Sequence, residues 1–167
     1  MYLNNKGGNM KGKISVTKMI NCYERKLITK EGDYSNSMWL IRKRYMPTKL
    51  KKRFDTVCKQ AIEKKCIPVN HIGTPETKNS IPDEIDTAID IGNVTHREYQ
   101  EESYESNRCE FTVNGERIFL NSDYYDYIKE NIPGVSFRVL PERIGEKMVF
   151  IFSENKLAGL LMPLKNE

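Results

Sequence analysis

Apolar residues return with helical spacing most clearly between two prolines, Pro47 and Pro68. Leu50, Phe54, Val57, Cys58, Ala61 and Ile62 fall on one face of a 3.6-residue period, which predicts an amphipathic helix that docks its stripe on a core. Lys52, Asp55, Lys59 and Glu63 take the opposite face. Thr48 offers an N-cap hydroxyl, Lys64 and Lys65 complement the dipole in the last turn, and Pro68 stops the helix. Upstream, Met38-Trp39-Leu40-Ile41 runs into Arg42-Lys43-Arg44-Tyr45-Met46, an apolar start with a basic finish that reads as a strand ending at Pro47. Lys13–Tyr23 and Lys26–Lys30 read as short strand-like or irregular pieces, broken by Glu31-Gly32-Asp33.

From Val69 to about Arg108 turn formers dominate, with one short helical turn suggested by Ile85, Ala88 and Ile89. Thr95 to Asn107 is polar and acidic and reads as a linker or exposed arm. Order then returns. Glu110–Val113 and Arg117–Leu120 flank Asn114-Gly115, the dipeptide favoured in type I′ hairpins. Asn121 or Ser122 caps a helix whose inward face carries Tyr124, Tyr125 and Ile128, and Pro133-Gly134 ends it. Val135–Val139, Lys147–Phe152 and Leu157–Leu164 follow as strands, which gives the order β-β-α-β-β-β. The class is α+β: a basic strand–helix module over 10–75, an acidic loop or linker over 76–107, and an α/β module over 108–167.

Charge sharpens that division. The net charge of +4 conceals sixteen Lys/Arg against five Asp/Glu in residues 11–66, and three against ten in residues 76–110. Arg42, Lys43, Arg44, Lys49, Lys51, Lys52 and Arg53, interleaved with Trp39 and Tyr45, offer charge to a phosphate backbone and rings for stacking. The bland reading of the same cluster is a solvated strand–helix edge.

Length and composition suit one or two folded modules. No run of apolar residues is long enough to span a membrane and no secretory signal is present, so a cytoplasmic protein is expected. Cys22, Cys58, Cys66 and Cys109 lack metal-ligand spacing and read as reduced, mostly buried thiols. Lys6-Gly7-Gly8-Asn9-Met10 is what an in-frame ribosome-binding site followed by a start codon encodes. Residues 1–9 then read as a translated leader of a bacterial or phage gene, the alternative being a genuine flexible N-terminus.

The candidate chemistry is sparse. His71 and His96 each have a threonine nearby, but neither threonine sits two residues after its histidine, as paired two-histidine phosphodiesterase motifs require. Asp83, Glu84, Asp86 and Asp90 read as a solvated acidic face rather than a metal site. No nucleophile with an oriented base and no phosphate-binding glycine loop can be placed. No catalytic residue, metal or cofactor is therefore expected.

The stretch Glu116 to Lys165 resembles the last half-domain of the bacterial β sliding clamp, the DNA polymerase III β subunit. The residues that carry this are Phe119-Leu120-Asn121-Ser122-Asp123-Tyr124 at a helix start, Val135–Val139, Met148–Phe152, and the closing Leu157–Lys165 with Met162-Pro163-Leu164. Serine stands at Ser122 where the family has proline, and the N-terminal block matches no clamp segment. The resemblance implies a clamp-like half-domain and a pocket for short peptides, to which Leu160, Met162, Pro163 and Leu164 would contribute. The expected function is non-catalytic: a phage or mobile-element protein acting by occupancy on DNA or a nucleic-acid-processing complex, with a host or phage protein complex as partner. The alternative is a small anti-CRISPR-like inhibitor of a host nuclease complex, and a two-histidine hydrolase is the remaining reading.

Overall fold

The computed structural model describes residues 16–20, 28–30, 33–36, 38–63, 83–99, 107–146 and 148–165. Its elements, in chain order, are α1 (Val16–Ile20), β1 (Ile28–Lys30), β2 (Asp33–Ser35), β3 (Trp39–Arg42), α2 (Thr48–Glu63), β4 (Ile89–Asp90), β5 (His96–Tyr99), β6 (Asn107–Val113), β7 (Glu116–Asn121), α3 (Ser122–Asn131), β8 (Val135–Val139), β9 (Val149–Ser153) and β10 (Lys156–Leu161). Short 3-10 turns lie at Lys43–Tyr45, Asp83–Thr87 and Pro141–Glu146. The chain is α+β. Its strands form a seven-stranded antiparallel sheet, β1-β2-β3-β10-β9-β8-β4, and a three-stranded one, β5-β6-β7.

Several local expectations hold for reasons visible in the backbone. Asn114 and Gly115 both adopt positive φ, 51° and 81°, as a type I′ turn between β6 and β7 demands. The Asn121 side chain accepts the Tyr124 amide at 3.1 Å and caps α3. On α2, Leu50, Phe54 and Cys58 are buried while Lys52, Asp55, Lys59 and Glu63 are exposed, as the period predicts.

Other expectations are corrected. Val16–Ile20 is a helix, not a strand-like piece, and it is held from outside: its Met19 carbonyl accepts both the Trp39 indole N–H at 2.8 Å and the Asn36 amide at 2.9 Å. The strand from Met38 ends at Arg42, where a 3-10 turn begins before Pro47. Lys51 donates to the Pro47 carbonyl, so Thr48 is the first helical residue rather than a cap. Lys64, Lys65, Pro68 and residues 1–9, expected as a leader, lie outside the described residues.

The division into separate segments is crossed by the sheet itself. β6-β7-α3-β8-β9-β10 follow in the expected order, but the β6–β7 hairpin joins β5 in the smaller sheet. The other side of β10 is taken by β3, with Leu40 opposite Leu160 and Trp39 opposite Leu161. Within the acidic stretch, Ile89–Asp90 pairs with β8 and His96–Tyr99 pairs with β6, so these residues are ladder rather than exposed arm. One apolar cluster therefore runs from Met19, Trp39 and Phe54 through Phe111, Tyr125 and Ile128 to Ile151 and Leu161. A smaller cluster, Leu40, Leu140, Phe150, Phe152 and Leu160, occupies the other face of the large sheet, with Ile85, Ala88, Met148 and Leu157 packed on it.

The β3–β10 contact is close because position 159 carries no side chain. A Cβ on Gly159 would overlap the Leu40 carbonyl oxygen, and backbone on the opposing strand cannot rotate away as a side chain can. Gly159→Ala is expected to cost about 3 kcal/mol by forcing the strands apart, seen as a lowered urea midpoint. Gly92→Ala, with open space around its Cβ but φ of +80°, is expected to cost about 1–2 kcal/mol from backbone strain alone. Equal midpoints for the two variants would contradict the close approach.

Candidate functional site

The basic residues are sorted by how α2 docks. Phe54 packs edge-on against Tyr34 and Trp39, with ring centroids at 5.3 and 6.0 Å, which turns the opposite face of the helix outward. Lys49, Lys52, Arg53 and Lys59 are exposed on that face, and Lys43 and Arg44 are exposed in the preceding turn. Arg42 and Lys51 are half-buried, and the Arg42 guanidinium reaches the Leu157 carbonyl at 3.5 Å. Among the described residues, no carboxylate lies within ion-pair distance of Lys43, Arg44, Lys49, Lys52, Arg53 or Lys59. α2 carries two carboxylates of its own, Glu63 and Asp55, and Asp55 lies beside the Tyr34 hydroxyl, whose pKa is raised by burial first and by Asp55 second. The result is a convex ridge of cations on a rigid support. An open cleft of ≈ 500 Å³ flanks its start, lined by Arg44, Tyr45, Thr48, Asn131, Ser153 and Glu154 among others.

The other cations are placed differently. Arg97 on β5 makes a two-pronged pair with Asp126 of α3, both bonds 2.8 Å, and so ties the small sheet to the helix. On that sheet's outer face Arg108 pairs with Glu98 at 2.6 Å and Arg117 with Glu110 at 2.7 Å, and both guanidinium groups lie about 5 Å from the Phe119 ring centroid. The hydrogen bond from Arg117 holds the Glu110 carboxyl below its usual range. A linker over Thr95–Asn107, which the sequence suggests, leaves no place for these pairs. Once His96–Tyr99 is a strand, alternation puts His96, Glu98, Arg108, Glu110, Arg117 and Phe119 on one face.

The structure corrects one of the residues expected as sites, Trp39, and gives the setting of the others. Trp39 is 1% exposed, stacked in the core with its N–H bonded to Met19, so it offers no ring to a ligand. Tyr45 is half-buried with the Arg44 guanidinium over it at 5.7 Å. Leu160, Met162, Pro163 and Leu164 differ in setting: Leu160 is buried in the smaller cluster, Met162 is 38% exposed, and Leu164 donates its amide to the Phe119 carbonyl at the edge of β7. None of the four lines the cleft beside α2.

His96 projects from β5, 3.7 Å from Glu98, and His71 lies outside the described residues. Asp86 and Asp90 are exposed, and Asp90 accepts the Gly92 amide at 2.7 Å. Among the described residues no group of three His, Cys, Asp or Glu side chains converges as a metal set. No helix among them is long and apolar enough to cross a membrane. What the ridge can do chemically is attract and hold anions.

Cys58 and Cys109 are buried thiols, and Cys22 and Cys66 lie outside the described residues. Burial pushes the Cys109 thiol up to about 12 from 9.0, and the Tyr125 phenol up to about 12 from 10.0. Folded chain keeps these protons where unfolded chain has lost them, so their contribution to stability is complete below the unfolded values and disappears as pH rises through the folded ones. The urea midpoint is expected to stay level up to about pH 9 and fall steadily above it. Cys109→Ala should flatten that fall even if it lowers the midpoint at every pH. A parent midpoint that does not change between neutral and strongly alkaline pH would contradict the buried assignment.

Comparison with protein-family models, curated proteins and solved structures yields no match for this chain.

Proposed function

We propose that this is a non-catalytic binding protein, of phage or mobile-element origin, that acts by occupancy on DNA or on a nucleic-acid-processing complex, and that the cation ridge from Lys43 to Lys59 is its contact surface. One observation carries the reading. The ridge cations have no carboxylate partner among the described residues, whereas Arg97, Arg108 and Arg117 are each neutralised by one. A protein gains nothing in stability from holding six like charges together on a turn and a helix, since neighbouring cations at helical spacing repel. Phosphates relieve that repulsion and release their own counterions, which makes such a surface favourable once nucleic acid is present.

The resemblance of Glu116–Lys165 to a clamp half-domain supports the reading from the other end of the chain. β7 leads through capped Asn121 into α3 and on to β8, β9 and β10, the order that the resemblance implies. The ridge stands on the same sheet, because β3, which leads into it, pairs with β10.

Four charge reversals, Arg44→Glu, Lys49→Glu, Lys52→Glu and Arg53→Glu, test this on exposed positions whose change leaves the core alone. The parent is expected to bind labelled oligonucleotide at low salt with affinity that falls steeply as salt rises. Each cation removed should lower the slope of log K against log salt by about 1, and the quadruple variant should show no binding while keeping its far-UV circular dichroism. Binding that persists in the folded quadruple variant would place the contact elsewhere.

A further inference from the structure

We infer that the ridge takes duplex rather than single-stranded nucleic acid, an inference that rests on the reading above and narrows its ligand. Proteins that hold single strands pair a basic groove, which tracks one flexible backbone, with aromatic rings on which successive bases stack. Among the described residues this surface offers little of either: the cleft at its start is lined by one cation, Arg44, one carboxylate, Glu154, and one aromatic, Tyr45. The cations stand on the outward, convex side of α2 and its preceding turn. Of the aromatic side chains described, all are buried except Tyr45, which is half-buried beneath Arg44. Trp39, the ring best suited to stacking, is spent on Phe54 and on the Met19 carbonyl.

A duplex asks for different things, and the ridge has them. Its major groove, about 12 Å wide, admits an α-helix and presents a row of phosphates on either lip. Along α2, Lys49 and Lys59 are separated by about 15 Å of helix rise, with Lys52 and Arg53 between them and Lys43 and Arg44 extending the row through the preceding turn. At about 100° per residue Lys49 and Arg53 lie along one side of the exposed face and Lys52 and Lys59 along the other, an arrangement that meets two rows of phosphates rather than one. Because Leu50, Phe54 and Cys58 anchor the opposite face, the helix cannot flex to follow a coil. Lysines predominate over arginines at the exposed helical positions, and lysine behaves toward phosphate as a mobile point charge, which suits backbone contact.

The test compares a labelled duplex with each of its separated strands, at equal concentration of the full-length chain and low salt, by fluorescence anisotropy. Counterion release per contact is about 0.9 for B-form duplex and about 0.7 for a single strand, so five or so contacts at low salt favour duplex on the order of tenfold. Duplex preference of that size, reduced in step by Lys52→Glu and Arg53→Glu, is the expected result. Strands bound as tightly as the duplex would overturn this inference and leave the nucleic-acid reading standing. Absence of binding to both would overturn the two together.

Discussion

Where β3 lies against β10, the Leu40 carbonyl fills the space that any side chain at position 159 would need. That one contact brings the N-terminal half of the chain onto the C-terminal half. With β3 seated, Trp39 enters the core beside Leu161, and its indole N–H fixes the Met19 carbonyl at the end of α1. Asn36, fully buried, completes the join: its amide donates to Met19 and to the Tyr124 hydroxyl, and its oxygen accepts the Met38 and Trp39 amides. Buried polar groups are tolerated when every bond is made, and no buried side-chain nitrogen or oxygen among the described residues lacks a partner. The direction of α2, and hence of the ridge, follows from this arrangement.

The surface chemistry divides in the same way. On the small sheet, opposite charges face each other across strands and over the Phe119 ring, a closed arrangement that blunts the sheet's outer face. On α2, Asp55 lies beside the Tyr34 hydroxyl, and neither it nor Glu63 forms an ion pair with Lys52 or Lys59 on the same face. Charge that is balanced locally supports the fold, and charge that is not is available to a partner. The functional proposal is built on that difference.

Elements whose information is local were legible in the sequence. The stripe on α2 at Leu50, Phe54 and Cys58, the Asn114-Gly115 turn and the Asn121 cap each depend on neighbours a few residues away. What failed was set by distant residues. Val16–Ile20 is helical although its composition suggested strand, because Trp39 and Asn36 satisfy its terminal carbonyl. β5 hid inside an acidic stretch because its pairing with β6 and the Arg97–Asp126 bond are long-range. The role of Trp39 is not legible because a tryptophan among arginines looks the same in sequence whether its ring faces in or out. The strand alternation of Trp39 and Ile41 against Leu40 and Arg42 shows two faces but cannot say that both are covered.

The central claim is that the segment from Lys43 to Lys59 is where nucleic acid meets this protein. Backbone amide exchange, followed with and without saturating duplex at low salt, reads that contact directly. The account predicts slowed exchange through the 3-10 turn at Lys43–Tyr45 and along α2, with β5, β6 and β7 unchanged. Protection confined to those three strands or to Met162–Lys165, with α2 unaffected, would contradict it.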